Sequence, residues 1–211
     1  QETDVQLSAD RQLFLMHDDN LLRTTEVELV YPQRAKDRAD TFTWAELSRL
    51  DAGSWFSQDD PFATIRKGKV DPERAVGYAG EPIPTFGEWL AVIRDSGQTF
   101  LYDVKSGGDD PASQAAVYEA ALRAIAEAGV ADQAWILTSP EQIDVVKSIL
   151  PGAKLAAGIE KEFIPASKDL VKAGYQVVNA EYTLPVDAIR DDQAAGLWIN
   201  IYTVDEAWQY S

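Results

Sequence analysis

Short apolar runs alternate with amphipathic segments along most of the chain. TDVQL and the apolar run of QLFLMH predict two strands flanking the polar turn SADR. WAELSRLDAG predicts a short helix with Thr43 as N-cap and Gly53 as its close, and TFGEWLAVIRDSG a second helix ending at Gly. TFLYDVK predicts a strand, and PASQAAVYEAALRAIAEAG carries apolar positions at helical spacing more clearly than any other stretch. Strand and helix then follow in turn: AWILTS and PEQIDVVKSIL, AKLAAGI and SKDLVKAG, YQVVNAEY and LPVDAIRDDQAAG, LWINIYTV and DEAWQYS. This alternation predicts parallel βαβ units and an α/β fold. About six strand–helix steps are fewer than a closed (β/α)8 barrel needs. The period alone fits an incomplete barrel or an open doubly wound sheet.

Residues 26–84 break the rhythm. The segment is charged and punctuated by Pro and Gly, as in SQDDPFATIRKGKVDPERAVGYAGEPIP. A loop this long in a compact domain is usually functional or flexible, and it reads as an insertion on the face where the loops are.

Composition narrows the function classes. The 211 residues are 45% hydrophobic, enough for one large domain or a piece of one. No run reaches the roughly 18 apolar residues of a membrane span. The formal net charge of −16 disfavours nucleic acid and anionic membrane as partners, while a small phosphorylated substrate remains open if a metal ion or local cations offset the carboxylates. With no cysteine there is no disulfide framework, zinc–thiolate cluster or thiol nucleophile.

Three stretches carry candidate chemistry. In ETD, Glu2 and Asp4 share one face of a strand, a pair that suits an oxygen-binding cation such as Mg2+ or Ca2+; an exposed, solvated acidic pair, common in so acidic a chain, is the alternative. In YDVKS, Asp103 and Lys105 share a face at the C-terminal end of an apolar strand, where α/β active sites gather; a structural ion pair is the alternative. His17, the single histidine, follows LFLM and precedes two aspartates, so it is either a proton-transfer group or an imidazole merely paired with an aspartate. Together the three suit metal-assisted phosphoryl transfer. SGGDD lacks the Lys and spacing of a P-loop and instead predicts a helix start, with Asp110 as N-cap and Pro111 at the first position.

Taken together, these stretches resemble the glycerophosphodiester phosphodiesterase family. ETDVQLSADRQLFLMHDDNLLRTT is similar to that family's E-x-D-V-x-L-T-x-D, hydrophobic strand and H-D-x-x-L-x-R-T-T. TWAELSRLDAGSWF is similar to its helix-and-turn signature, and GEPIPTFGEWL to its I-P-T-L-x-E-x-L. YDVKS falls where the family has E-I-K, and INIYTVDE resembles its late strand, usually V-x-x-W-T-V-N.

The resemblance implies a (β/α)8 TIM barrel, with residues 1–211 as one incomplete domain and 26–84 inserted after the second barrel strand. It implies Glu2, Asp4 and Asp103 as ligands of a divalent ion, Ca2+ or Mg2+. His17 becomes one of two acid/base histidines, Lys105 a catalytic and substrate-contacting cation, and Tyr202, in place of a Trp, part of the pocket lining. The implied reaction is hydrolysis of a glycerophosphodiester to an alcohol and glycerol 3-phosphate, within lipid and glycerol metabolism. Trp55, in the insertion, is expected to contact the substrate's head group. Asp103 is one methylene shorter than the usual Glu, so contact with the metal through water is expected there. The family's other histidine lies in an H-R-G motif on the first barrel strand, upstream of E-x-D, and its last strand lies beyond the position of Ser211. The chain is thus expected to hold strands two to seven, and residues 1–211 alone to be inactive. Two other readings are a barrel that binds a phosphorylated small molecule without catalysis, and a sphingomyelinase D-like phosphodiesterase, whose members typically carry disulfides. The long insertion resembles that of larger, often extracytoplasmic members, which leans localisation towards the periplasm or the exterior.

Overall fold

The computed structural model describes residues 1–104 and 111–202. Its strands are β1 (Glu2–Leu7), β2 (Leu13–Leu15), β3 (Phe100–Val104), β4 (Ala134–Leu137), β5 (Lys154–Ile159), β6 (Val177–Glu181) and β7 (Trp198–Tyr202). They form one sheet in the order β2-β1-β3-β4-β5-β6-β7. β1 and β2 are antiparallel, with Val5 opposite Leu15, and every step from β3 to β7 is parallel. Past the hairpin, strand order follows chain order without reversal. A doubly wound sheet reverses direction at a switch point, whereas a (β/α)8 barrel does not, so the topology is of the barrel type.

The helices are α1 (Val27–Val30), α2 (Trp44–Leu47), α3 (Ser54–Asp59), α4 (Pro72–Val76), α5 (Phe86–Ser96), α6 (Pro111–Ala128), α7 (Ile143–Ile149), α8 (Ser167–Ala173) and α9 (Val186–Ala194). α5 and α6 run as their periodicity predicts, each followed by a glycine, Gly97 or Gly129, at positive φ. No described helix is long and apolar enough to cross a membrane. The expected helix in DEAWQYS and the expected cap Asp110 lie outside the described residues.

The chain divides into two compact units. One comprises Gln1–Thr3, Ile93–Asp103 and the chain from Leu122 onward. Here the alternate residues of adjacent parallel strands meet, so Leu101, Ala156 and Val177 pack together with Trp135 and Leu137 against them.

The other comprises Asp4–Val92 and Val104–Ala121. Its core gathers Phe14, Met16 and Leu21, in and just after the hairpin, with Val27, Phe42, Leu47, Leu50 and Ile83 from the segment that breaks the strand–helix rhythm. Residues 26–84 therefore pack onto the hairpin region through a shared apolar core and carry α1 to α4. One expected boundary is corrected here. The helix begun by Thr43 stops at Leu47, and Gly53 instead precedes α3. Thr43 does start α2: its N–H and hydroxyl both donate to the Glu46 carboxylate, at 2.8 and 2.9 Å. Gly53 is required by close approach, because a Cβ there would sit 1.8 Å from the carbonyl oxygen of Tyr78.

Candidate active site

On β1 the pleat turns Glu2 and Asp4 to one face and buries Thr3 on the other. Asp103 lies on β3, the strand beside β1. Glu2, Asp4 and Asp103 each offer a carboxylate oxygen, and these oxygens lie within 4.8 Å of one another. Two oxygens bound to a single hard cation at about 2.4 Å each lie no more than about 4.8 Å apart. The shorter Asp103 side chain therefore still brings an oxygen within the span that one ion's ligands cover. An all-carboxylate donor set fits a hard divalent cation rather than zinc or copper. Lys105, expected beside Asp103, lies outside the described residues.

His17 follows directly after Met16, just beyond the end of β2. Its Nδ1 lies 2.8 Å from Asp18 Oδ1. Asp18 in turn accepts two hydrogen bonds from Arg23, Nε to Oδ2 at 2.6 Å and Nη2 to Oδ1 at 2.8 Å. The Arg23 hydrogen bonds hold the Asp18 carboxyl down to about 2, against the effect of partial burial and with a smaller contribution from His17. An ionised carboxylate only accepts, so the proton between the two residues sits on Nδ1 and the neutral ring keeps its lone pair on Nε2. The imidazole is 65% exposed and the Asp18 side chain only 25%. The ring is therefore open to a substrate, while its partner is shielded.

Arg23 also stands over the indole of Trp55, with its guanidinium carbon 5.7 Å from the ring centroid. Trp55, on α3, meets Phe56 edge-on, and Phe56 meets Tyr78. A single chain of contacts thus runs from the insertion through Trp55, Arg23 and Asp18 to His17. The HD pair and the later Arg were legible as a motif. Their mutual clamp was not, because a five-residue spacing outside regular structure does not fix contact.

Tyr202, at the end of β7, lines a cavity of about 430 Å³ with Glu160, Lys161, Glu162, Glu181 and Tyr182. Glu181 ends β6, and residues 160–162 directly follow β5. The cavity therefore sits at the C-terminal ends of three adjacent parallel strands, where such folds place ligands. The family resemblance pointed to Tyr202; the acidic residues beside it fall in no motif and were not singled out.

Comparison with known proteins adds the following. Residues 2–210 match the model of the "Glycerophosphoryl diester phosphodiesterase family". Glycerophosphodiester phosphodiesterase domain-containing protein 5 of Gallus gallus is 32% identical over all 211 residues, which cover 34% of its length. The chain thus spans about a third of the curated relatives it matches. Among solved structures, a "Putative glycerophosphoryl diester phosphodiesterase" from Silicibacter pomeroyi aligns with a TM-score of 0.74 at 18% identity, over 99% of this chain and 74% of that one. A phosphodiesterase from Oleispira antarctica, solved with sn-glycerol-3-phosphate, aligns with a TM-score of 0.70 at 21% identity, over 99% and 74%.

Proposed function

The chain belongs to the glycerophosphoryl diester phosphodiesterase family, and from that premise we propose that it acts within a metal-dependent hydrolase of glycerophosphodiesters. The observation that carries this reading is the meeting of Glu2, Asp4 and Asp103 within 4.8 Å. Three carboxylates held this close repel one another unless a cation lies among them. These three residues would hold Ca2+ or Mg2+. The bound cation would offset the charge of the phosphodiester and polarise its P–O bond.

In the overall reaction water adds to phosphorus, the bond to the alcohol oxygen breaks, and an alcohol and glycerol 3-phosphate leave. Glycerol 3-phosphate is the compound bound in the Oleispira antarctica structure, which supports this barrel as a host for it. His17 moves the proton, at Nε2, because Asp18 occupies Nδ1. A neutral ring takes a proton from the attacking nucleophile; a protonated one gives it to the leaving alcohol. Lys105 and Tyr202 are assigned to substrate: Lys105 by the charge of a phosphate partner, Tyr202 by its place in the cavity. Trp55 is assigned to the head-group side.

The test is release of glycerol 3-phosphate by the full-length protein. Chelation with EDTA should abolish it, and added Ca2+ or Mg2+ should restore it. Asp4→Asn should remove both metal binding and turnover. Undiminished turnover in metal-free buffer would sink the assignment.

A further inference from the structure

Gln6 is a buried polar residue that no step above uses. It lies on β1, one residue past Val5, and is completely buried. Its amide nitrogen donates two hydrogen bonds, to the carbonyl oxygen of Met16 at 3.0 Å and to that of Asp18 at 2.8 Å. Those two carbonyls flank His17. Turning the amide over would aim Oε1 at two carbonyl oxygens, so the network itself fixes which atom is nitrogen. Oε1 takes no hydrogen bond from the described residues, so what retains this amide is its donor side.

The placement has a consequence for His17. Register pairing between β1 and β2 ends at Val5 and Leu15, and the Met16 N–H donates to the Asp4 carbonyl at 3.2 Å. Beyond that point Gln6 takes over, reaching from β1 to hold residues 16 and 18 where β2 has stopped. An apolar residue would suit a buried strand position better, because burying an amide is costly unless its hydrogen bonds are made. We propose that Gln6 is a positioning residue for His17. It fixes the backbone on both sides of the histidine, so that the ring, pinned at Nδ1 by Asp18, presents Nε2 at one place. The proposal rests on His17 being the proton-transfer group of the reaction above.

The experiment uses the full-length protein and the variants Gln6→Met, which keeps shape but removes both donors, and Gln6→Asn, which keeps the amide one methylene shorter. Misplacement of a reacting group by about 1 Å costs on the order of 100-fold, so Gln6→Met should lower kcat by about 10- to 100-fold with KM changed less than about 3-fold. Gln6→Asn should fall between it and the parent, and it carries the test if Gln6→Met does not fold. In a His17→Ala background neither change should lower kcat further. Nitrogen NMR of the His17 ring, identified by its loss in His17→Ala, should show one Nδ1–H tautomer in the parent and an averaged or exchange-broadened ring in Gln6→Met. An unaltered ring signal in the variants overturns the proposal, and so does an equal loss of kcat with and without His17. Full activity of His17→Ala would remove the assignment of His17 itself and with it a catalytic role for Gln6, while the ring signal would still report whether Gln6 positions it.

Discussion

From Ala134 to Tyr202, parallel strands alternate with helices, and alternate residues of neighbouring strands form an apolar cluster. From Asp10 to Pro84 a short hairpin strand is followed by four helices of four to six residues. Helices that short leave most of their N–H groups without an intrahelical partner. Carboxylates take up some of these, at Trp44 and Ser54, and N–H groups of the connecting loops as well. Asp10 accepts from the Trp44 N–H at 2.8 Å, Asp60 from those of Ile65 and Arg66, and Glu26 from that of Asp51. Asp51 accepts from the N–H groups of Gly53 and Ser54 and from the Ser54 hydroxyl. Burial pushes the Asp51 carboxyl up, but these bonds and one from Gly80 outweigh it and bring it down to about 2. Asp10, Glu46 and Asp60 are also held below their usual range. Between Ala134 and Tyr202, hydrogen bonds from its own N–H and from Ser139 hold the Glu141 carboxyl low. Part of the large negative charge is thus structural: it serves as acceptors for an irregular backbone.

The two regions should differ most in what they do for turnover. In full-length protein, His17→Ala should lower kcat by roughly 10²–10⁴-fold and leave KM and metal affinity nearly unchanged. Tyr202→Ala, on β7, should instead raise KM and largely spare kcat, as measured by steady-state glycerol 3-phosphate release. A matching fall in kcat from both would erase the division between proton transfer and substrate contact.

Backbone packing should separate them next. Gly53→Ala forces a Cβ into the Tyr78 carbonyl and should cost about 3 kcal/mol or more in urea unfolding. Gly158→Ala, on β5, meets only Leu137 Cδ1 at an ordinary 3.5 Å and should stay within about 0.5 kcal/mol. Comparable losses would show that residues 53–78 tolerate shifts as readily as the regular sheet.

Acid is the third probe. Asp18 and Asp51 titrate near 2 when folded and near 3.8 when unfolded. A depressed folded pKa contributes stability that is complete above the unfolded value and is lost as pH falls towards the folded one. Hydrogen exchange, corrected for intrinsic rate, should therefore show protection between residues 10 and 84 failing as pH drops from about 4 to 2, before that of β4–β7. Asp18→Asn should remove about 1 kcal/mol of this pH-dependent stability once solvent screening is allowed for. Simultaneous loss in both regions would mean that they unfold as one.

The smallest effect is expected at Trp55. Trp55→Ala removes a cation–π contact to Arg23 worth about 0.5–1 kcal/mol. A change in KM that differs among choline-, ethanolamine- and inositol-bearing diesters would place the indole against substrate. A uniform fall in kcat would place its effect on the Asp18–Arg23 clamp.

Periodicity sufficed wherever one period governed a segment. The helices of α5 and α6, their closing glycines and the strands β3 to β7 follow from local patterns, because each element's apolar face is written at its own spacing. The pairing of Glu2 with Asp4 was legible for the same reason: a pleat repeats every two residues. Gly53 was misassigned because its constraint is a carbonyl 25 positions away, which no local pattern records.

What the sequence determined by itself is the α/β class, the family's motifs and the kinds of groups available: carboxylates, one imidazole, no thiol. Tertiary structure decided which of them meet. Strand order distinguished the barrel topology from a doubly wound sheet, and sheet neighbours brought Asp103 to Glu2 and Asp4. Only the folded chain turns Gln6 inward onto the carbonyls around His17 and sets Arg23 on Asp18. The reason is physical. Secondary structure depends on spacing along the chain, whereas a hydrogen bond or a shared ion depends on distances of a few ångströms between segments, which packing alone sets.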